Sequence, residues 1–287
     1  MHLLVTEPKL LDRARAIVDS ELDAVELAAS RFRPDSEVCE LARSNGARRP
    51  VSSVLAGLLS AALEAARITD GDVDPTVGCA VVELGYDANG FGSAPTDHPA
   101  AQRVSAAAVP IDWTVVDFDG RCVQLPPGVL LDLGATAKAV AADMCARRVY
   151  QETGTGVLVN LGGDISTAGS DPPEGWRILV RDTDDAPASL VTIGADTGLA
   201  TSSTRRRRWS HAGEKHHHIL DPRTGKSALP VWKSVSVTAQ TCLAANTVST
   251  AAIVRGLRAP VWIESLGVPA RLVDADGGEL LLGGWPS

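Results

Sequence analysis

The chain has 287 residues, of which 45% are hydrophobic, and its formal net charge is −8. A chain of this length and hydrophobic content can bury a core of its own, which excludes a disordered protein. The acidic balance excludes an overall attraction for nucleic acid or for an anionic membrane surface, so that any basic cluster has to act locally.

The five cysteines are odd in number, widely spaced and never arranged as CxxC. This pattern argues against a disulfide framework and a zinc ribbon, and it predicts a reducing compartment, which we take to be the cytoplasm. The sequence contains no run of about 18 apolar residues, and its first residues lack the pattern of a signal peptide. We therefore expect an unprocessed, soluble protein with no stable membrane insertion.

The first third of the chain predicts a strand followed by two helices. Residues 2 to 6 have the composition of a strand, and apolar residues at spacings of three and four predict an amphipathic helix over 11 to 29. The same spacing predicts a second helix over 54 to 66, which ends at a loop containing Gly71 and Pro75.

The rest of the chain mixes strands and helices. Residues 87 to 108 are rich in Gly, Ala, Ser and Pro, which predicts a surface excursion. Two β-rich runs then flank the turn-forming pair Asp119 and Gly120, and a helix is predicted to end at Gly154. Further predicted strands cover 157 to 161, 176 to 182 and 234 to 239, a helix runs from about 241 to 255, and short strands follow. No repeat is present, and this order of elements predicts an α+β fold with mixed sheets.

The stretch RRRRWSHAGEKHHHILDPRTGKS, residues 205 to 227, suggests several kinds of site. The four arginines are interpreted as a solvated face, because Trp209 alone accompanies them, and we predict no nucleic-acid partner. The ending TGKS is not a phosphate loop, since Leu220 stands where that loop needs glycine and Pro222 lacks a backbone donor. Three adjacent histidines on a strand alternate faces and cannot all bind one metal. DPRTG is typical of a tight turn.

Five segments in chain order resemble the ApbE family of FAD:protein FMN transferases. They are DVDPTVG (72 to 78), DLGATAKAVAAD (132 to 143), LVNLGGDISTAG (158 to 169), HHILDPRTG (217 to 225) and ANTVSTAA (245 to 252). The resemblance implies a single ApbE-like domain over residues 1 to 287. Its fold would have mixed β-sheets flanked by helices, with two interlocked lobes around a flavin cleft.

The resemblance implies an enzyme that binds FAD and, with Mg²⁺, transfers FMN to a threonine or serine hydroxyl of a target flavoprotein with release of AMP. Some relatives hydrolyse FAD to FMN and AMP instead, and the sequence leaves this alternative open. A flavin-binding protein without turnover is a further alternative.

The resemblance also implies the residues of the site. His218 would be catalytic, because an imidazole beside the cleaved phosphates can donate a hydrogen bond or handle a proton, while His217 on the opposite face of the predicted strand would be structural. Lys138 would place a point charge on a phosphate, and glycines would let the backbone approach the ligand. The residues implied in FAD binding are Asp74, Thr76, Gly134, Lys138, Gly162, Gly163 and Leu220.

The implied Mg²⁺ ligands are the side chains of Asn246 and Thr250 and the backbone carbonyl of Ala137. The family usually presents Asp and Thr four residues apart, so Asn246 departs from its pattern. An amide oxygen can ligate Mg²⁺ but brings no charge, which predicts weak binding unless the phosphates of FAD carry much of the coordination.

Overall fold

The computed structural model describes residues 1 to 86, 112 to 184 and 186 to 286. The predicted surface excursion over 87 to 108 therefore lies outside the described residues. The helices within these ranges are α1 (Leu11–Ala29), α2 (Glu37–Arg43), α3 (Ser53–Ile68), α4 (Gly78–Glu83), α5 (Ala137–Thr153), α6 (Cys242–Arg255) and α7 (Ala259–Leu266).

The first eight strands of the described residues are β1 (His2–Val5), β2 (Arg49–Pro50), β3 (Asp117–Phe118), β4 (Cys122–Gln124), β5 (Val157–Leu161), β6 (Asp164–Ala168), β7 (Trp176–Val180) and β8 (Ser189–Ile193). The remaining eight are β9 (Gly198–Ser203), β10 (Arg208–His211), β11 (Glu214–His217), β12 (Leu220–Asp221), β13 (Lys226–Ser227), β14 (Trp232–Ala239), β15 (Ala270–Asp274) and β16 (Glu279–Leu282). The α+β class is confirmed, and α1 and β5 begin and end at the residues that the sequence predicted.

The chain divides into two compact units. Unit 1 comprises Met1–Asp23, Lys138–Arg205 and Leu229–Ser287, and unit 2 comprises Ala24–Ala137 and Arg206–Ala228. Both units are thus built from stretches that are distant in the sequence.

A seven-stranded sheet with the order β1-β5-β6-β9-β14-β15-β16 forms the centre of unit 1. Each pair of neighbouring strands in it is antiparallel, and so are the strand pairs of the smaller sheets among the described residues. The expectation of mixed sheets is therefore wrong. Tight turns such as the one between β5 and β6 reverse the chain, and they join antiparallel strands without a crossover helix.

Helix α6 packs against β9 and β14 at the centre of this sheet. Most of its residues are buried, and nearly all of these are small, which allows a close approach to the strands. At Gly198, the first residue of β9, an added Cβ would lie 2.1 Å from the backbone nitrogen of Cys242. Only glycine therefore fits between the sheet and the start of α6.

Unit 1 also contains a hydrophobic cluster around Trp176 and Trp285. It joins residues of the β7–β8 hairpin to apolar residues of β5, β6 and β9. The hairpin is thereby fixed to the large sheet.

Unit 2 combines helices α2, α3 and α4 with three small sheets, β2-β4-β3, β10-β11 and β12-β13. The apolar stripe predicted for the second helix is the buried face of α3, formed by Leu55, Leu58, Leu59, Ala62, Ala65 and Ala66. The four arginines at 205 to 208 are exposed, as expected of a solvated face.

Throughout the described residues, no helix combines the length and the apolar composition that a membrane span requires.

Candidate active site

The structure distributes the residues that the sequence singles out over both units. Unit 1 holds Lys138, Gly162, Gly163, Asn246 and Thr250, and unit 2 holds Asp74, Thr76, Gly134, Ala137, His218 and Leu220. In each unit, aspartate side chains connect the motif segments to one another.

Asp164 joins two of the predicted residues of unit 1. It is the first residue of β6 and is only 2% exposed. Its Oδ2 accepts a hydrogen bond from Nζ of Lys138, and its Oδ1 accepts one from Nδ2 of Asn246 at 3.2 Å. One buried carboxylate therefore holds the side chains of Lys138 and Asn246 together. Asp164 stands directly after Gly162 and Gly163 in the sequence, but the resemblance implied a role only for the two glycines.

The amide of Asn246 has one satisfied end and one unsatisfied end. Nδ2 donates to Asp164, whereas Oδ1 is buried and has no hydrogen-bond partner among the described residues. A buried oxygen without a partner is uncommon in folded proteins and indicates a place for a water molecule or an ion. An amide oxygen is a suitable Mg²⁺ ligand, so Asn246 fits the role that the sequence predicts.

Thr250 follows Asn246 by four residues on α6, so both side chains lie on one face of the helix. Its Oγ1 lies 2.9 Å from Oγ of Ser202, which in turn lies 2.9 Å from Oγ of Ser249. A hydroxyl that makes one hydrogen bond retains capacity to accept another or to ligate a cation. Within the described ranges, no cluster of three or more His, Cys, Asp or Glu side chains is placed to hold a metal.

Asp143 fixes the start of the helix that carries these two residues. Its Oδ1 accepts a hydrogen bond from the backbone nitrogen of Cys242 at 2.9 Å, and its Oδ2 accepts one from Leu243 at 3.0 Å. Thr241 adds a side-chain cap on Ala244 at 3.1 Å. These bonds satisfy donors that the first turn of a helix leaves free. Asp143 ends the segment DLGATAKAVAAD, but sequence reasoning gave it no role.

Gly162 and Gly163 form the turn between β5 and β6. Their φ angles are +71° and +104°, a region that favours glycine. Oδ1 of Asn160 accepts a hydrogen bond from the backbone nitrogen of Gly163 at 2.9 Å. The two glycines therefore place Asp164 at the start of β6, next to Lys138.

In unit 2, Asp74 organises the DVDPTVG segment. Its Oδ1 accepts hydrogen bonds from the backbone nitrogen and the hydroxyl of Thr76 at 2.7 and 2.6 Å, and its Oδ2 accepts one from the backbone of Trp113 at 2.9 Å. Burial raises the pKa of the Asp74 carboxyl, while the bonds from Thr76 and Trp113 act in the opposite direction. Asp74 thus fixes the conformation of the DVDPTVG segment and connects it to the backbone at Trp113.

Asp132 connects the DLGATAK segment to that loop. Its backbone nitrogen donates to the carbonyl of Pro75 at 2.8 Å, and its Oδ1 accepts from the backbone of Gly134 at 2.7 Å. Its other oxygen, Oδ2, pairs with Nε of Arg31 at 2.8 Å. Gly134 is exposed, while Ala137, a few residues on, is buried at the start of α5.

The DPRTG turn is tied to the same loop by an ion pair. Nη1 of Arg223 lies 2.7 Å from Oδ1 of Asp72, which is buried, and Nε of Arg223 lies 3.0 Å from Oδ1 of Asp221. Leu220, which precedes the turn, is buried in β12. Three of the family-like segments are therefore joined within unit 2.

The two adjacent histidines of HHILDPRTG have different surroundings. His217 is buried, its Nε2 bonds to the carbonyl of Ala228 at 2.9 Å, and its Nδ1 accepts from Ile219 at 3.3 Å. Burial lowers the pKa of His217. Both ring nitrogens of His217 are therefore engaged with the backbone, whereas His218 is half-buried.

The prediction that His218 lies on the same strand as His217 is wrong. Strand β11 ends at His217, and His218 lies in a bend before β12. The physical reason is a change of pairing partner, since β11 pairs with β10 whereas β12 pairs with β13.

Comparison with solved structures shows that this fold is similar to those of known proteins. The structure superimposes on the apbe protein of Thermotoga maritima with a TM-score of 0.83 and 24% identity, over 97% of this chain and 92% of that one. The flavinyl transferase ApbE of Pseudomonas stutzeri gives a TM-score of 0.79 at 23% identity, over 94% of this chain and 86% of that one.

Sequence comparison gives the family. The model of the ApbE family matches residues 1–272, so the chain belongs to the ApbE family. The FAD:protein FMN transferase of Salmonella typhimurium is 30% identical in an alignment of 249 residues that covers 83% of this chain and 70% of that protein. The enzyme of the same name from Treponema pallidum is 30% identical in an alignment of 252 residues that covers 82% of this chain and 69% of that protein.

Proposed function

We propose that the chain is a FAD:protein FMN transferase, which moves FMN from FAD to a threonine or serine hydroxyl of a target flavoprotein and releases AMP. Membership of the ApbE family supports this proposal. The observation that carries it is the cluster around Asp164, whose carboxylate contacts Lys138 and Nδ2 of Asn246, while Oδ1 of Asn246 is buried without a partner among the described residues. Such a cluster offers a positive charge for a phosphate and an oxygen for a cation.

In the proposed step, the target hydroxyl oxygen attacks the phosphorus of the FMN half, and the phosphoanhydride bond to AMP breaks. We assign the hydroxyl proton to His218, since imidazole is the side chain that most readily exchanges protons near neutral pH. Lys138 offsets negative charge on the phosphates.

The proposed Mg²⁺ ligands are Oδ1 of Asn246, Oγ1 of Thr250 and the backbone carbonyl of Ala137. The unsatisfied Oδ1 of Asn246 supports this assignment. When bound, Mg²⁺ supplies charge neutralisation at the phosphate oxygens.

The other residues proposed to bind FAD contribute shape more than charge. Gly134, Gly162 and Gly163 leave room for the ligand beside the backbone. Asp74 and Thr76 fix one loop through the hydrogen bonds that Thr76 donates to Asp74, and Leu220, which is buried in β12, is proposed on the resemblance alone.

We further infer a reducing compartment, with the cytoplasm as the expected one. All five cysteines are free thiols. Burial, with Glu21 and Asp19 nearby, raises the pKa of the Cys145 thiol to about 12, so that this thiol stays protonated and unreactive.

The test is incubation with FAD, Mg²⁺ and a threonine-containing peptide from a candidate target, followed by mass spectrometry. A peptide carrying FMN together with free AMP is the expected result. FMN and AMP with an unmodified peptide would show hydrolysis instead. FAD that is bound but unchanged would favour the non-catalytic alternative, which the neutral Asn246 in place of a carboxylate motivates.

A further inference from the structure

We propose that Asp164 is a positioning residue that orients the amide of Asn246, so that its oxygen rather than its nitrogen faces the cation. The proposal rests on the proposed function, in which Asn246 is a Mg²⁺ ligand. It assigns a role to a carboxylate that contacts the proposed ligand through a hydrogen bond.

The two ends of an asparagine amide have nearly the same shape but opposite polarity. Nδ2 is a donor and repels a cation, whereas Oδ1 is an acceptor and attracts one. An aspartate at position 246 would present an oxygen in either orientation. An asparagine needs a neighbour that selects one orientation, because the wrong one would remove the ligand.

Asp164 is such a neighbour. An ionised carboxylate only accepts hydrogen bonds, so the amide end that it contacts has to be Nδ2. The other oxygen of Asp164 accepts a hydrogen bond from the ammonium group of Lys138, and Asp164 as a whole is only 2% exposed. The ion pair therefore fixes the polarity of the contact with Asn246.

The opposite end of the amide shows the consequence of this arrangement. Oδ1 of Asn246 is buried and makes no hydrogen bond within the described residues, while Nδ2 is satisfied. The fold thus leaves a buried acceptor next to Thr250, which lies one helical turn further along α6. Residues that hydrogen-bond to a metal ligand commonly tune the affinity of the site, and their loss costs about 10–100-fold in metal affinity.

A swap of the two side chains separates positioning from other roles. In Asp164→Asn, the amide at 164 turns its oxygen to Lys138 and its nitrogen to Asn246, so Asn246 reverses and presents Nδ2. In the double variant Asp164→Asn with Asn246→Asp, the amide donates to the new carboxylate, and the net charge of the three side chains equals that of the natural protein. The double variant then offers a carboxylate oxygen as ligand.

The experiment is a calorimetric titration of Mg²⁺ into the full chain, with and without FAD, for the natural protein and both variants. We expect about 10-fold or greater loss of Mg²⁺ affinity in Asp164→Asn, and affinity above the natural level in the double variant. Thermal unfolding without Mg²⁺ measures the structural cost of each change separately. If Asp164→Asn does not fold, the comparison of the double variant with the natural protein decides.

Unchanged affinity in Asp164→Asn would overturn the proposal. A double variant that binds Mg²⁺ no more tightly than the natural protein would also overturn the proposal. In that case the carboxylate of Asp164, and not the oxygen of residue 246, would determine Mg²⁺ binding. Absence of Mg²⁺ binding by the natural protein under both conditions would also overturn it, although FMN transfer without the metal could still be measured. Conversely, the expected order of affinities in a chain that transfers no FMN would remove the proposed function and keep the role of Asp164.

Discussion

The carboxylate of Asp143, in α5, accepts a hydrogen bond from the backbone nitrogen of Cys242, 99 residues later in the chain, and thereby caps the start of α6. The same Oδ1 accepts from the hydroxyl of Ser166 on β6. One side chain therefore connects α5, β6 and α6, the three elements that carry Lys138, Asp164 and Asn246. The positions of Lys138, Asp164 and Asn246 relative to one another therefore depend on the hydrogen bonds of Asp143.

Replacing Asp143 by alanine should lower the free energy of unfolding by about 1–2 kcal/mol, as loss of a helix cap does. Asp143→Asn is the matched control, because its amide oxygen can still accept from one backbone nitrogen. Chemical denaturation of the three proteins measures the difference. An alanine variant as stable as the natural protein would show that the cap contributes nothing.

Replacing Lys138 by methionine should weaken FAD binding and should also destabilise the protein without ligand. Asp164, which is 2% exposed, would keep its contact with Asn246 but lose its counter-charge. Since Lys138 is itself 38% exposed, we expect a loss of about 1–2 kcal/mol rather than the larger cost of a fully buried pair.

Lys138→Arg is the control for this prediction, because it keeps the charge beside Asp164. Calorimetric unfolding measures the change in stability, and titration with FAD at temperatures below the unfolding transition measures the change in FAD affinity. A methionine variant with natural stability and weakened FAD binding would mean that the ion pair contributes little to the fold.

Replacing Asn246 by aspartate should tighten Mg²⁺ binding and lower stability in the absence of the ion. The new carboxylate would face Oδ1 of Asp164 where Nδ2 now donates at 3.2 Å, and only Lys138 would offset the two charges. Mg²⁺ should restore the stability. Thermal midpoints across a Mg²⁺ series measure both effects, with Thr250→Ala as the variant expected to lose Mg²⁺-dependent stabilisation. A midpoint of Asn246→Asp that does not respond to Mg²⁺ would contradict the assignment.

His217 and His218 should differ in what their loss affects. His217→Ala should lower stability, because both ring nitrogens bond to the backbone of unit 2. His218→Ala should lower turnover with a smaller change in stability. Parallel measurements of unfolding and of FMN release from FAD test the pair, and equal effects of the two changes on turnover would contradict the separation of roles.

The lowered pKa of His217 predicts how stability depends on pH. The unfolded histidine, with a pKa near 6.5, binds a proton more readily than the folded one, whose pKa burial depresses. The contribution of His217 is therefore present above about pH 6.5 and decreases as the pH falls toward the folded pKa. Denaturation at pH 7.5 and at pH values below 6.5 should show a decrease in stability that is smaller in His217→Gln. Equal decreases in the two proteins would rule out His217 as the cause.

The sequence predicted the elements that have a clear apolar pattern, either helical spacing or a short apolar run with turn residues at both ends. α1 shows apolar residues at spacings of three and four, and β5 is a short apolar run bounded by glycines, so both were found with their limits. β9 was missed, although it lies in the middle of the large sheet. Its residues, GLATSS, are mostly small and weakly polar, which allows α6 to pack directly on the strand. Because nearly all of them are buried, apolar and polar residues do not alternate along β9, and the sequence gives no strand signal.

The sequence predicted only part of the candidate site, because some of its residues stand in recognisable segments and others act through contacts between distant parts of the chain. Residues such as Lys138, Asn246 and His218 stand in segments that resemble the family, so the resemblance supplied them. Asp164 and Asp143 act through hydrogen bonds to residues 82 and 99 positions away. A single sequence contains no signal for such pairings, since only the sheet brings the two ends together.

The interleaving of the two units affects the order in which the chain can fold during synthesis. Unit 2 needs residues up to Ala228, and the sheet of unit 1 needs β14, which inserts between β9 and β15. Until residues 232 to 239 leave the ribosome, β9 presents an open edge of unpaired backbone groups, which is a template for association with other chains. A nascent chain of this protein is thus most exposed to aggregation after β9 is made and before β14 emerges, and a chaperone would be most useful in that interval.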